Sequence, residues 1–266
     1  MLEPPALGVI GGSGLYSLLD NSEEVVVETP YGSTSDLLTV GDLGGCRTAF
    51  IPRHGRHHEL PPHLVPYRAN LWALEHVGVR RVIAPAASGS LQPGIRPGDI
   101  VICDQLVDRT AGRPDTFSEP GSVIHVSMAD PYCGSMRRLA HVAAEMLDIR
   151  THAQGTVAVI QGPRFSTRAE SRWFASAGWS VVNMTQYPEA ALARELGLCY
   201  LNLSVVTDMD AGDPDDPAAA AVDARTVLEV LSDGMGDAKR LMGAIAGRLA
   251  DLAPCECSAI AARGRI

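Results

Sequence analysis

The segment YRANLWALEHVGVRRVIAPAASGS, residues 67–90, carries both periodicities of the chain in one stretch. Tyr67, Leu71, Leu74 and Val77 recur at the spacing of one apolar helix face over residues 67–77, and Gly78 supplies the stop. Residues 79–84 then read as a β-branched strand. It is expected to break at Pro85 into a loop of small residues, Ala86, Ala87, Ser88, Gly89 and Ser90.

The same alternation extends in both directions. Residues 7–10 form a short apolar strand running into Gly11-Gly12-Ser13-Gly14, and residues 49–51 form another. Residues 100–102 read as a strand after the turn at Pro97-Gly98-Asp99. Residues 136–147 fit an amphipathic helix with Leu139, Val142, Ala143, Met146 and Leu147 inward. Residues 156–160 are a strand. Thr167-Arg168-Ala169-Glu170 matches a capping box that opens a helix to 177. A strand at 180–183 precedes a helix with Pro188 at its first position. Residues 199–207 are nearly uncharged and read as a strand buried on both faces. A loop rich in Asp, Pro, Gly and Ala fills 208–221, and a final helix occupies about 222–252. Strands alternating with helices make the fold class α/β. With no linker and no internal repeat, residues 1–266 read as a single domain.

Composition narrows the function. The 266 residues are 46% hydrophobic and 20% charged, which excludes a disordered chain. No apolar run approaches the length of a membrane span. The start, Met1-Leu2-Glu3-Pro4-Pro5, has no basic n-region, so the expected compartment is the cytoplasm. A net charge of -9 does not invite nucleic acid, and any phosphate must be held by a local pocket against that field. Cys46, Cys103, Cys133 and Cys199 lie in apolar contexts and read as buried thiols. Cys255-Glu256-Cys257 is a lone C-x-C with no second pair nearby in sequence. It reads as two unpaired thiols on a late helix or tail, and no metal site is expected.

Small and polar residues gather at the carboxyl ends of six strands, where open α/β sheets place ligands. Gly11-Gly12-Ser13-Gly14 can wrap an anion or make a tight turn. It lacks the lysine of a nucleotide-binding P-loop and the acidic partner of a dinucleotide site. Arg53-His54-Gly55-Arg56-His57-His58 suits an anion, since Arg offers paired N–H donors. It equally suits a solvated basic loop, and its spacing is not that of a zinc helix. Asp208 and Asp210 follow the long apolar strand and can serve as general acid, as readers of donor groups, or as turn residues.

These segments also carry a resemblance. GVIGGSGL (8–15), TPYG (29–32), RHGRHH (53–58), YRANLWAL (67–74), GSL (89–91), DQLVDRT (104–110), QGPRFSTRAES (161–171), NMT (183–185) and TDMD (207–210) resemble the S-methyl-5'-thioadenosine phosphorylases of the trimeric purine nucleoside phosphorylase family, in the same order over residues 7–250. The resemblance implies that Ser13, Arg53, His54 and Thr185, with the Ala86-Ala87 backbone, hold phosphate. It implies that Met184 lies against the ribose, that Phe165 flanks the purine, and that Asp208 with Asp210 faces N7 and the 6-amino group. His125 would line the pocket for the 5' group, with Ala224, Val227 and Leu228 from the late helix. Phosphate is a co-substrate, no cofactor is implied, and the assembly implied is a homotrimer.

Two departures from the family pattern bear on specificity. Ala86 stands where relatives often have Thr, which removes a hydroxyl from the phosphate site. Ala224 stands where a larger Val is known, which makes the 5' pocket roomier. Within the resemblance, phosphorolysis of methylthioadenosine leads. The alternatives are a phosphorylase acting on 6-oxopurine nucleosides, on methylthioinosine or on another 5'-deoxyadenosine analogue, and an inactive purine-binding module. In 6-oxopurine relatives Asn usually replaces Asp208 and Glu replaces Ser166, so this chain carries the amine-reading pair.

Overall fold

The computed structural model describes residues 4–12, 15, 18–212 and 224–266. The sheet is organised around one strand, β5 (Arg81–Ser90). On one edge β5 pairs along most of its length, in parallel, with β11 (Cys199–Asp208). On the other edge its first three residues pair in parallel with β1 (Leu7–Gly11), ending at Ile83 opposite Val9. Its last two, Gly89 and Ser90, pair instead with the antiparallel β10 (Val181–Asn183). Between them, Ala84 to Ser88 have no strand partner on that edge among the described residues.

This split explains why the strand expected to break at Pro85 continues to Ser90. Proline lacks the N–H that a ladder needs, but at a split edge none is required. Pro85 keeps its place opposite Leu203 of β11.

Outward from β1 the sheet adds the parallel β4 (Cys46–Pro52), then the antiparallel β3 (Leu38–Leu43) and β2 (Asp20–Val25). The edge strand β2 is exposed and carries Asp20, Glu23 and Glu24, charges that discourage pairing with another chain. Outward from β10 come the parallel β9 (Thr156–Ile160) and β7 (Gln105–Arg109). Two short strands, β6 (Ile100–Val101) and β8 (Thr151–His152), extend the sheet beyond β11.

Helices cover both faces, which makes β11 apolar on both, as its sequence predicts. Tyr200 and Val206 join the cluster containing Leu71 and Leu74 of α1 (Tyr67–His76) and Leu192 of α4 (Gln186–Glu195). Leu201, Leu203 and Val205 join the opposite cluster, with Met136 and Leu139 of α2 (Gly134–Met146) and Leu241 and Ile245 of α5 (Ala224–Ala246). Each fully buried leucine contributes about 2–3 kcal/mol of transfer free energy. Gly78 ends α1 at φ +106, and a Cβ there would lie 2.8 Å from Pro4 Cβ.

The helical predictions need small corrections. In α2 the buried face is Met136, Leu139, Ala140, Ala143 and Ala144; Val142 and Met146 are exposed. Alanines pack closely against the sheet there, so the face is set by small residues rather than by the largest ones. The capping box of α3 (Arg168–Ser176) forms as expected, Thr167 accepting from Glu170 N–H at 3.1 Å. Tyr187 is extended (φ -118, ψ 132), so regular helix in α4 begins at Pro188, the first position foreseen for it. The last long helix ends at Ala246, and the chain closes with α6 (Cys257–Arg263).

Candidate active site

Where β5 leaves β1 for β10, a cavity of about 520 Å³ opens, lined by the ends of all six strands singled out in the sequence. Its floor is the unpaired edge of β5 from Pro85 to Ser88. Along a strand edge, N–H and C=O groups stand ready for a partner: Arg53 Nη1 takes the Pro85 carbonyl, and the other open groups are available to a ligand. Ala86 and Ala87 are thus placed at the cavity by their backbone, as expected. Gly12 and Leu15 line the wall on the β1 side, and Ser13 between them lies outside the described residues.

Arg53, at the end of β4, is 2% exposed and faces the cavity. Its Nε and Nη2 donate to the two Glu189 carboxylate oxygens at 2.7 and 2.9 Å; Nη2 also donates to Ile10 O and Nη1 to Pro85 O. Four of its five N–H groups are therefore committed within the protein, leaving one on Nη1. Burial pulls its pKa down, but the Glu189 charge and hydrogen bonds, with smaller help from Tyr200 and Tyr67, outweigh it and keep the guanidinium protonated. Glu189 also accepts from Tyr200 Oη at 2.6 Å. The arginine is thus a brace between β1, β5 and α4 as well as a donor to the cavity. Glu189 was not singled out in the sequence, where it looks like an ordinary acidic residue in the first turn of a helix.

His54 lines the same wall. Its Nδ1 lies 2.8 Å from Leu60 O; a carbonyl only accepts, so Nδ1 carries the proton and Nε2 is the ring's acceptor. Burial, and then the Arg53 charge, push its pKa down to about 4, so the ring is neutral near pH 7. It stacks on His58 with centroids 4.6 Å apart.

Thr185 and Met184 follow β10 and line the cavity, Thr185 buried and Met184 half-buried. The backbone around them is held by Arg113, a residue the sequence did not flag. Its guanidinium donates to the carbonyls of Met184 (2.9 Å), Tyr187 (2.5 Å) and Gln161 (2.8 Å), tying the end of β9 to the start of α4. Phe165, after β9, presents its ring to the cavity while 36% exposed.

Asp208 and Asp210 close the far end. Asp208 accepts from Thr207 Oγ1 and from Asp210 N–H, each at 2.7 Å. Burial raises its pKa against those two hydrogen bonds. Asp210, 3% exposed and at φ +49, is also raised, chiefly by burial, with the Ser171 and Ser166 hydroxyls opposing and the Asp208 charge adding. Gly89 makes the arrangement possible: a Cβ there would sit 2.9 Å from Asp208 Oδ1 and 3.0 Å from Asp210 Cβ. Ser166 stands beside Asp210.

One expected residue, His125, is not brought to this cavity, and the expected residues of the late helix, Ala224, Val227 and Leu228, have side chains outside the described set. His125 is exposed and lies outside its lining, in a segment whose N–H donates to Gly264 O at 2.7 Å. Ala224 is the first residue of α5, but its side chain lies outside the described set; the helix reaches the cavity through Met235.

The cysteines are unpaired, as read from the sequence, with Cys103, Cys133 and Cys199 buried; Cys46 is only half-buried. What the sequence did not show is that the Sγ atoms of Cys133, Cys199, Cys255 and Cys257 all lie within 4.8 Å of one another, three of these residues lining a second cavity. The pair missing from the sequence neighbourhood of the C-x-C is supplied in space by the N-cap of α2 and the first residue of β11.

A family model described as "Phosphorylase superfamily" matches residues 6–245. The chain is 57% identical to the S-methyl-5'-thioadenosine phosphorylase of Mycolicibacterium smegmatis over 82% of each chain. It is 54% identical to the purine nucleoside phosphorylase of Streptomyces coelicolor, over 77% of this chain and 76% of that one. The methylthioadenosine phosphorylase of Schistosoma mansoni, solved in complex with adenine, superposes with a TM-score of 0.90 at 33% identity, covering 98% of this chain and 99% of that one.

Proposed function

Because the chain belongs to the phosphorylase superfamily, we propose that it cleaves S-methyl-5'-thioadenosine by phosphorolysis, releasing adenine and S-methyl-5-thio-α-D-ribose 1-phosphate. It is a pentosyltransferase of purine and methionine salvage. The observation that carries the substrate assignment is the pairing, in one cavity, of an open backbone edge with a carboxylate pair of raised pKa.

Each part of the cavity takes one part of the reaction. Phosphate occupies the β5 edge, with a backbone N–H of the Ala86-Ala87 stretch, the remaining Nη1 proton of Arg53, the His54 ring and Thr185 around it. Arg53 is already balanced by Glu189, so anion binding rests largely on neutral donors held in place before the substrate arrives. His54, neutral with a free acceptor, takes the P–OH of a monoanion or becomes charged against a dianion. A phosphate oxygen bonds to C1' as the C1'–N9 bond breaks, and N9 keeps the electron pair. Asp208, whose pKa is raised, shares the proton that N7 takes up, which makes the purine a better leaving group. Met184 packs on the ribose and Phe165 on the base. No protein nucleophile is needed and no cofactor enters.

Phosphate dependence tests this directly: equal product formation from methylthioadenosine in phosphate-free buffer would overturn it. A second reading, a nucleoside phosphorylase acting on 6-oxopurines, is favoured by the identity to the Streptomyces coelicolor protein. Asp208 speaks for the adenine nucleoside, since a carboxylate accepts from a 6-amine and repels a 6-carbonyl.

The working assembly in this proposal is a homotrimer with each pocket near a subunit boundary. His125, exposed and away from its own chain's cavity, would then serve a neighbour's. Light scattering showing a fully active monomer would refute it. The proposed setting is the cytoplasm, as the sequence reading expects. Among the described residues no helix is long and apolar enough to cross a membrane.

A further inference from the structure

We propose that Cys133, Cys199, Cys255 and Cys257 form a closed tetrathiolate site for a structural zinc ion, separate from the catalytic cavity. Zinc–thiolate bonds of ~2.3 Å in a tetrahedron set sulfur atoms about 3.8 Å apart. The four Sγ atoms already lie within 4.8 Å of one another, and the Cys199–Cys255 pair is at 3.3 Å. Shifts of about half an ångström complete the geometry. Four ligands from three separate parts of the chain leave no open position, which marks a structural rather than a catalytic site.

The surroundings suit four thiolates. Cys133 is the N-cap residue of α2, so the helix N-terminus, with its unpaired first-turn N–H groups, adjoins the cluster and favours negative charge there. Arg194 is 4% exposed, and its side-chain hydrogen bond among the described residues runs from Nη1 to Cys257 Sγ, at 3.7 Å; its buried Nε has none. A buried guanidinium without a carboxylate is costly unless a counter-charge is supplied. Zinc with four thiolates has a net charge of two minus, and supplies it. Such outer partners orient and tune the ligands. On binding, each thiol that is still protonated gives its proton to solvent; no oxidant or reductant takes part.

The site would clamp the C-terminal segment to the body of the protein. Ser135 Oγ donates to Pro254 O at 3.2 Å beside it. Beyond α6, Gly264 O accepts from His125 N–H, and Ile266 N–H donates to Val123 O. The metal therefore anchors, through α6, the stretch that carries His125.

The test uses the full chain expressed with zinc and purified under reductant, which is then removed. Metal content is measured by mass spectrometry, and thiols are titrated in denaturant with chelator. The expected result is one zinc per chain and all six thiols reactive. Only two reactive thiols, Cys46 and Cys103, with no zinc, would mean two disulfides and would overturn the proposal. Six thiols with no zinc, and no intense tetrahedral cobalt–thiolate absorption when cobalt is added to the reduced protein, would overturn it too. Cys255→Ser, at the most exposed ligand, is expected to lose zinc to a chelator about tenfold faster or more. An unchanged rate and unchanged cobalt spectrum in that variant would remove Cys255 from the site and overturn the four-ligand assignment.

Discussion

Replacing Asp208 by Asn isolates the group that reads the base. The substitution fits the local hydrogen bonds. Asp210 N–H must keep an acceptor, so the Asn oxygen takes the place of Oδ1, 2.7 Å away. The amide nitrogen then replaces Oδ2 beside Thr207 Oγ1. That hydroxyl can accept instead of donate and turn its proton to Ser88 O, already 3.5 Å from it. Folding is preserved, and one acceptor facing the purine becomes a donor. A buried polar group left unpaired costs about 1–3 kcal/mol. The 6-amine of an adenine nucleoside loses its partner while the 6-carbonyl of an inosine nucleoside gains one. Both effects move selectivity the same way, by about 2 kcal/mol together or roughly 30-fold. Asn cannot share an acidic proton with N7, so kcat falls for both substrates, by about 10²-fold or more. Ser166 offers no carboxylate to hold a 6-oxopurine, so the switch stays partial. The assay is kcat/KM for methylthioadenosine and methylthioinosine in wild type and variant, with urea unfolding as control. If both proteins unfold alike and the substrate ratio does not move toward methylthioinosine, Asp208 does not read the base.

Arg53→Ala leaves Glu189 charged and unpaired in the core, so denaturant unfolding should show a loss of about 3–5 kcal/mol in addition to the catalytic defect; unaltered stability would mean that the brace is not needed. His54 has its folded pKa depressed from 6.5 to about 4, so the unfolded chain binds the extra proton and stability falls as pH drops through that window, by up to about 3 kcal/mol; His54→Gln should flatten this part of the stability–pH curve, and an identical slope would contradict the assignment. Ala86→Thr adds a hydroxyl at the cavity floor and should lower the KM for phosphate by about three- to tenfold, near 1 kcal/mol, with the KM for the nucleoside little changed; no change in phosphate KM would place the anion elsewhere.

The elements themselves were legible where periodicity was strong. The face of α1, the capping box of Thr167 and the doubly buried strand at Cys199 follow from residue spacing, because each answers to local geometry or to uniform apolarity. What could not be read was what depends on neighbours distant in sequence. Pro85 signals a break locally and is accommodated only because β1 departs at that point. Glu189 looks solvated until Arg53, 136 residues away, is folded against it. Arg113 lies in a stretch without periodicity, and its partners are mainly backbone carbonyls, which no side-chain pattern announces. The four cysteines converge from three segments for the same reason. The strand ends were legible as a composite pocket because polar residues after apolar runs mark them; the placement of His125 came from resemblance alone.

The split edge of β5 has a consequence for how such a site can change over generations. Donors that belong to the main chain are untouched by most substitutions, since every residue except proline brings the same N–H. Between Ala84 and Ser88 the anion-binding capacity is therefore inherited through connectivity, namely the point at which one strand exchanges neighbours, and not through residue identity. At Ala86 and Ala87, the half-buried positions of that stretch, side chains can vary in size and polarity, tuning affinity without abolishing it, as an alanine at position 86 illustrates. The far end of the cavity has no such insurance: Asp208, Asp210 and the Gly89 that makes room for them each act through their own atoms. Drift in this enzyme should accordingly alter which base is accepted long before it alters the need for phosphate.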